Sequence, residues 1–381
     1  MINLIKKYFS VLLCIILICP LFSIGVSAVS LGISASSAVV MVAQTGEVLY
    51  EHNAHVKRSM ASTTKIMTSL IALENADLKK EITVKKEDLN VEGTSMGLLS
   101  DDKVTFEGLV YGMLLQSGND AANVIASELG GSIDKFVRLM NSRAKELGMN
   151  NTNFVTPSGL DDDKHYSTAY DMALLGSAAA LNPDFRYISS QKQAIVYYGN
   201  PPYRRVLTNH NKMLSYYDGC IGLKTGFTKK SGRCLVTAAE RDGVVIVAVT
   251  LNAPDDWNDH RILLDYGFSK VKNRPLDNSA DSVKIPVTGG KSNFVSAKAR
   301  NKAFVNIGKN MQGISSCYLI EPFVYAPVKK GDIVGKIVYF TASQKVGEVI
   351  LEATENVSAK EEIKKKSFWR RFIDFVKSIF K

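Results

Sequence analysis

Apolar positions recur along this chain in two rhythms. Residues 38–44 and 48–52 read as a strand pair joined at Thr45-Gly46. Residues 220–225, 233–240 and 244–252 form a second set of strand-like runs, with Arg241-Asp242-Gly243 as a turn signal. Between the two sets the spacing lengthens to three and four residues over 66–75, 106–116, 121–129 and 133–147, which predicts helices. Strands at both ends with helices between them predict one antiparallel sheet covered by helices, an α+β layer design over residues 29–275. Beyond it, short β-rich runs at 282–287, 303–307, 318–320, 333–340 and 346–353 alternate with Gly and Lys turns, which predicts a small all-β domain over 276–358. No chemistry-bearing residues cluster there, so this domain reads as a spacer or platform.

Both ends of the chain break the pattern. Lys6 and Lys7 precede an apolar run to Ile24, and Val26-Ser27-Ala28 supplies the small residues of a cleavage site. A basic start, a short apolar centre and a small-residue exit describe a signal peptide over 1–28, with a retained anchor as the alternative. Over 359–381, Phe368, Trp369, Phe372, Ile373, Val376, Ile379 and Phe380 fall on one helical face, while lysines and arginines take the other face and the ends. A helix so short and so charged suits the interface of an anionic membrane rather than a span; docking on its own domain is the alternative.

Composition adds boundaries. The chain has 381 residues, 46% hydrophobic and 22% charged, with a net charge of +10. That is ordinary for a folded protein with two domains and excludes a disordered chain. The basic excess, concentrated in the tail, points to a membrane surface and not to nucleic acid. Beyond the leader only Cys220, Cys234 and Cys317 remain, which is no disulfide framework; Cys220 and Cys234 either pair across adjacent strands or stay as separate buried thiols.

Three short motifs carry chemistry. Ser62-Thr63-Thr64-Lys65 is an S-x-x-K, a pattern that recurs at six other serines and alone says little. Its context differs: it opens an apolar helical run, so residues i and i+3 place the Lys65 amine beside the Ser62 hydroxyl at a helix N-terminus. Without support it would be an N-cap cluster with a solvated lysine. Ser117-Gly118-Asn119 is the only S-x-N of the chain and falls between two helical runs, where a plain Ser-Gly-Asn turn is the alternative. Lys224-Thr225-Gly226 ends a strand-like run; Gly226 lets a ligand backbone approach, and the lysine and threonine can bind a carboxylate. Lys230-Ser231-Gly232 fits a looser form of the same pattern but sits in a polar turn.

In order and widely separated, the three motifs form the signature of penicillin-binding proteins and class A β-lactamases. The chain resembles the low-molecular-mass penicillin-binding proteins, specifically the D-alanyl-D-alanine carboxypeptidases. The resemblance extends through ASTTKIMT at 61–68, EGTSMGL at 92–98, YGMLLQSGNDAA at 111–122, TPSGL at 156–160, HYSTAYDMA at 165–173 and GLKTGFTKKSGRCLV at 222–236. It is close over about residues 36–275 and looser beyond. It implies a β-lactamase/transpeptidase-like domain and an exported enzyme, peripherally attached to the outer face of the cytoplasmic membrane, that removes the terminal D-alanine from peptidoglycan stem peptides. β-Lactam antibiotics would then be covalent inhibitors.

The roles that follow are those the resemblance implies. Ser62 attacks the carbonyl between two D-alanines and forms an acyl-enzyme, with Lys65 as its base. Ser117 relays a proton to the leaving amine. Lys224 and Thr225 hold the terminal carboxylate, Asn119 the peptide amide, and the amides of Ser62 and Phe227 form the oxyanion hole. Phe227 departs from relatives with histidine there. No cofactor is implied, and no metal: His52 and His55 are close but lack partner ligands. A β-lactamase would need an E-x-x-L-N deacylation segment, which this chain lacks. Gly93-Thr94-Ser95-Met96-Gly97 fits the G-x-S-x-G of α/β-hydrolases, but a polar loop follows it where a helix is required. A non-catalytic wall-binding protein on the same fold has no need of the Ser62/Lys65 pair.

Overall fold

The structure, a computed structural model, describes residues 30–276, 282–308, 314–341, 344–360 and 378. The leader predicted over 1–28 and almost all of the tail predicted over 359–381 lie outside the described residues.

The chain enters with β1 (Ser37–Val42) and β2 (Val48–His52) as an antiparallel pair. Then come α1 (Lys65–Asn75), the short strands β3 (Glu81–Thr83) and β4 (Lys103–Thr105), α2 (Phe106–Gln116), α3 (Asn119–Gly130), α4 (Ile133–Glu146), α5 (Ala169–Leu181) and α6 (Pro183–Ser189). A hairpin of β5 (Gln193–Gly199) and β6 (Pro202–Thr208) pairs with β4 and β3 in a four-stranded side sheet. After α7 (Met213–Tyr216), β7 (Cys220–Thr228), β8 (Gly232–Arg241) and β9 (Val244–Leu251) complete a five-stranded antiparallel sheet in the order β2-β1-β9-β8-β7. That order leaves β7 at an edge.

Every residue of β1 and β9 is buried. Their runs, Ser-Ala-Val-Val-Met-Val and Val-Val-Ile-Val-Ala-Val-Thr-Leu, are nearly all apolar because helices cover both faces of the sheet. A Cβ built on Gly176 of α5 would lie 2.9 Å from Val236 and Val247, and one on Gly267 of α8 (Asp256–Lys270) 2.8 Å from Val40 and 3.0 Å from Ile246. Ile246 and Val247 are neighbours on β9 and point to opposite faces. The two helices therefore sandwich the sheet, each through a glycine that lets its backbone close down. The sequence reading anticipated a helix-covered antiparallel sheet; it did not contain α5, α6, α8 or the β3–β6 side sheet. The alanine-rich face of α5 and the mixed face of α8 carry too weak a periodicity.

A second core forms from Ile285, Val295, Ala297, Ile337, Leu351 and their neighbours. It belongs to an all-β domain with β10 (Val271–Leu276), β11 (Ser282–Thr288), β12 (Phe294–Ala299), β13 (Ala303–Gly308), β14 (Ser315–Ile320), β15 (Val324–Tyr325), β16 (Ile333–Thr341) and β17 (Gln344–Ala353). Six of these form a sheet in the order β14-β16-β17-β12-β11-β15, and β10 pairs with β13. Cys220, Cys234 and Cys317 are free; the β7–β8 register sets Cys220 opposite Ala239 and Cys234 opposite Gly226, so the two thiols do not meet. Among the described residues no helix is long and apolar enough to cross a membrane.

Because the α5 backbone sits directly on the sheet, Gly176→Val is expected to lower unfolding free energy by about 1–3 kcal/mol through overpacking. Urea denaturation checks this; an unchanged midpoint would mean that the helix–sheet seam has slack.

Candidate active site

Ser62 sits on a 3₁₀ turn, Ala61–Thr64, that leads directly into α1. Ala61 is at φ 47°, a left-handed conformation unusual for a residue with a Cβ, and it turns the serine toward the cleft. One helical turn on, the Lys65 Nζ lies 2.9 Å from Ser62 Oγ, 2.6 Å from Asn119 Oδ1 and 2.7 Å from the Ser158 carbonyl. Lys65 is fully buried. Burial, and then the nearby Lys224, drive its pKa well below the ordinary lysine value, with Asp120 opposing.

Lys224 lies on β7, and its own burial lowers its pKa to about 7. Its Nζ donates to the Thr225 carbonyl at 2.9 Å. Leu223, just before it, is at φ 94° beside a register shift between Cys220 and Gly222. Strand β7 continues through Thr228, so Lys224-Thr225-Gly226 lies within the edge strand and not at its end, as the sequence reading had it. A Cβ on Gly226 would come to 3.1 Å from the amide nitrogens of Ser62 and Thr63 and the Met60 carbonyl. Only glycine leaves the strand this close to the Ser62 turn without displacing it.

Ser117 ends α2 at φ 60°, and Asn119 opens α3. Each of the three motifs thus holds, or directly follows, a non-glycine residue in the left-handed region, strain of the kind that collects at functional sites. The Asn119 side chain accepts from Lys65 and donates to the Glu92 carbonyl at 2.6 Å.

Asp120 was not singled out from sequence, where an acid in a first helical turn reads as a cap. In the fold it is buried and accepts from Ser95 Oγ at 2.6 Å and from the amides of Met96, Gly97 and Leu98 at 3.0–3.1 Å. One carboxylate so fixes the 92–98 loop over the cleft. That loop has no strand before it or helix after it, which removes the α/β-hydrolase reading of its G-x-S-x-G.

His165 ties the other wall. Its Nδ1 accepts from the Val155 amide at 3.0 Å, so Nε2 carries the proton and donates to Thr64 Oγ1 at 2.8 Å; Thr64 in turn donates to the Ala61 carbonyl. Burial holds the His165 pKa down to about 4. The cleft, about 480 Å³, is lined by Ser62, Ser117, Asn119, Thr225, Gly226 and Phe227. Lys65 and Lys224 lie buried at its base. The sequence-predicted residues thus converge. Sequence reasoning missed His210, Lys212, Arg233, Asp256 and Trp257 on the same walls. Arg233 pairs with the buried Asp256 at 2.8 Å and stacks on Trp257, contacts between β8 and α8 that no local pattern announces. Lys230 of the decoy motif pairs with Asp163 at the surface.

Neutral His165 makes stability pH-dependent. Its folded pKa, about 4, lies below the ordinary 6.5. As pH falls through 6.5 the unfolded chain takes up a proton that the folded chain refuses, so stability drops until about pH 4, by about 3 kcal/mol in all. Buried His260, held down to about 3, adds in the same sense. Urea midpoints should fall from pH 7 to pH 5, and His165→Gln should flatten that slope by about one proton. An unchanged slope in the variant would contradict a neutral His165.

Known proteins resemble this chain in sequence and fold. The profile of the D-alanyl-D-alanine carboxypeptidase peptidase family matches residues 25–255, and that of the penicillin-binding protein 5 C-terminal domain matches residues 272–365. The D-alanyl-D-alanine carboxypeptidase DacF of Bacillus subtilis is 32% identical over 349 residues, covering 88% of this chain and 87% of its own. Escherichia coli DacA is 30% identical over 368 residues, covering 91% and 88%. The crystal structure of the carboxypeptidase DacD from Francisella tularensis superposes with a TM-score of 0.61 at 28% identity, over 88% of this chain and 95% of that one. A mutant of the Streptomyces K15 DD-transpeptidase gives 0.60 at 32%, over 62% and 98%. The chain belongs to the D-alanyl-D-alanine carboxypeptidases, serine-type enzymes of the penicillin-binding protein family that act on peptidoglycan.

Proposed function

We propose that Ser62 is the nucleophile of this carboxypeptidase and that Lys65, as a neutral amine, is its base. The observation that carries this is the set of three contacts at Lys65 Nζ. A neutral amine has two N–H groups and one lone pair. The Asn119 Oδ1 and the Ser158 carbonyl take the two N–H groups, so the lone pair is left for the Ser62 hydroxyl to donate into.

The rest of the cycle follows from position. The stem peptide lies extended along the free edge of β7, with its terminal carboxylate at Lys224 and Thr225. The arriving carboxylate favours protonated Lys224, and that cation presses the Lys65 pKa down further, so binding readies the base. As Lys65 takes the Ser62 proton, Oγ bonds to the carbonyl carbon, and the amides of Ser62 and Phe227 receive the oxyanion. The side chain of Phe227, 64% exposed, contacts substrate without disturbing that backbone donor. Asn119 Nδ2 gives one hydrogen to the Glu92 carbonyl and keeps the other for the substrate. Ser117 passes a proton to the leaving amine, D-alanine departs, and water hydrolyses the ester. A β-lactam carbonyl entering the same cleft would stop at the acyl-enzyme.

Residues 29–275 form the peptidase domain, 276–358 a small all-β domain, and 359–381 a helix that lies on anionic lipid; residues 1–28 direct export. The charge and apolar pattern of both ends supports an enzyme held at the outer face of the cytoplasmic membrane. A wall-binding protein without catalysis is the weaker reading, because a fully buried lysine against a serine costs stability that binding alone does not require.

Ser62→Ala should abolish both D-alanine release from a pentapeptide and labelling by a fluorescent penicillin; a label that persists would refute the nucleophile. Lys65→Arg, which cannot become neutral, should lower kcat/KM about 100- to 10,000-fold. The full chain should float with phosphatidylglycerol vesicles while a chain ending at residue 358 stays behind. Equal flotation of both would remove the tail from the account.

A further inference from the structure

One end of the all-β domain gathers exposed rings and lysines. Strand β15 runs parallel to β11, with Val324 beside Val287 and Tyr325 beside Thr288. The rings of Phe323 and Tyr325 meet edge to face, their centroids 5.3 Å apart, and these residues are 43% and 71% exposed. Neither belongs to the core of the domain.

The segment that leads to the tail lies beside them. The Lys360 amide donates to the Gly289 carbonyl at 2.8 Å, one residue past the Thr288 that Tyr325 faces. The Lys291 amide donates to the Ser358 carbonyl at 2.8 Å, and Val328 and Val357 exchange backbone hydrogen bonds at 2.9 and 2.8 Å. The Lys330 amide donates to Asn356 Oδ1 at 2.7 Å. Lys291, Lys329, Lys330 and Lys360 are therefore drawn together around residues 356–360, and all four are exposed. Among the acids of these segments, Asp332 and Glu355 accept from the amides of Lys329 and Ser296, and Glu321 precedes Phe323 by two residues.

Lysines alone would suit any polyanion. The rings narrow the choice, because a soluble polyanion offers nothing apolar to cover them. The interface of an anionic bilayer takes both: aromatic side chains settle at its boundary, and lysines stay among the headgroups. The sequence agrees, since the cationic amphipathic stretch 364–381 begins four residues after Lys360.

The geometry points to a second membrane contact, made by this folded end of the all-β domain. Phe323 and Tyr325 enter the interface of an anionic bilayer, and the four lysines meet its phosphates. The inference rests on the reading of residues 359–381 as a helix on lipid. The patch is weak by itself, because a lysine near such a surface adds only about fivefold in affinity. Once the tail is bound, the patch acts at high effective concentration. Two contacts fix how the domain stands on the membrane, where one helix would leave it free to swing.

The full chain is partitioned onto sedimented vesicles of phosphatidylglycerol or of phosphatidylcholine. Phe323→Ser with Tyr325→Ser should weaken binding to phosphatidylglycerol about tenfold, and Tyr325→Ser alone should move it the same way. Lys329→Gln with Lys330→Gln should weaken it about tenfold or more, leave phosphatidylcholine binding unchanged, and lose its effect at high salt. All four side chains are exposed, so urea midpoints should match the wild type. Variants that partition like the wild type would overturn the contact and leave the tail as the anchor. Loss with the lysine pair but not with the ring pair would mark a polyanion site and overturn it too. A wild-type chain that ignores phosphatidylglycerol altogether would overturn the tail reading beneath it.

Discussion

Two lysines lie out of water beside each other at the base of one cleft, and the rest of the site is arranged around that fact. An ammonium ion moved into a protein interior loses several kcal/mol of hydration. A second cation nearby adds repulsion, so the cheaper state is to release a proton. Lys65 has both reasons to do so, and Lys224, at about 7, has the first. An amine that would be a firmly held cation in solution is thereby driven toward its neutral form, the form the proposed base requires. It stands where an S-x-x-K at a helix start must place it, one turn from the Ser62 hydroxyl.

Holding that arrangement needs backbone that would not form by itself. Ala61, Ser117 and Leu223 are all in the left-handed region without being glycine, each at or next to a site residue. The surrounding contacts over-determine them. His165 and Thr64 pin the Ala61 carbonyl, Asp120 anchors the 92–98 loop above Asn119, and Gly226 and Gly159 let β7 and the 156–160 segment close against the Ser62 turn. The five-stranded sheet, clamped between α5 and α8, supplies the rigid edge against which this is done.

Much of this was legible in the sequence. The strands β1, β2, β7, β8 and β9 showed because two apolar runs end in clear turns, and the helices α1, α3 and α4 showed because their apolar stripes are periodic. The three motifs marked Ser62, Lys65, Ser117, Asn119, Lys224 and Thr225, since each chemistry needs its residue types at fixed local spacing. What stayed hidden is non-local. Asp120 acts on a loop some twenty-five residues earlier in the chain, His165 on a threonine a hundred residues before it, and Arg233 with Asp256 across a strand–helix junction. A lone acid or histidine carries no pattern that separates a brace from a surface residue. The α5 helix escaped for another reason: it is buried on several sides, and a helix apolar all round has no stripe to detect.

The central claim is electrical, that the Lys65 amine is neutral where the enzyme works. Its direct test is an NMR titration of the full chain carrying ¹³Cε-labelled lysine, with the Lys65 resonance assigned by comparison with Lys65→Arg. The account predicts a Lys65 titration well below the ordinary lysine range. A midpoint near 10.5, the value of a solvated lysine, would contradict it.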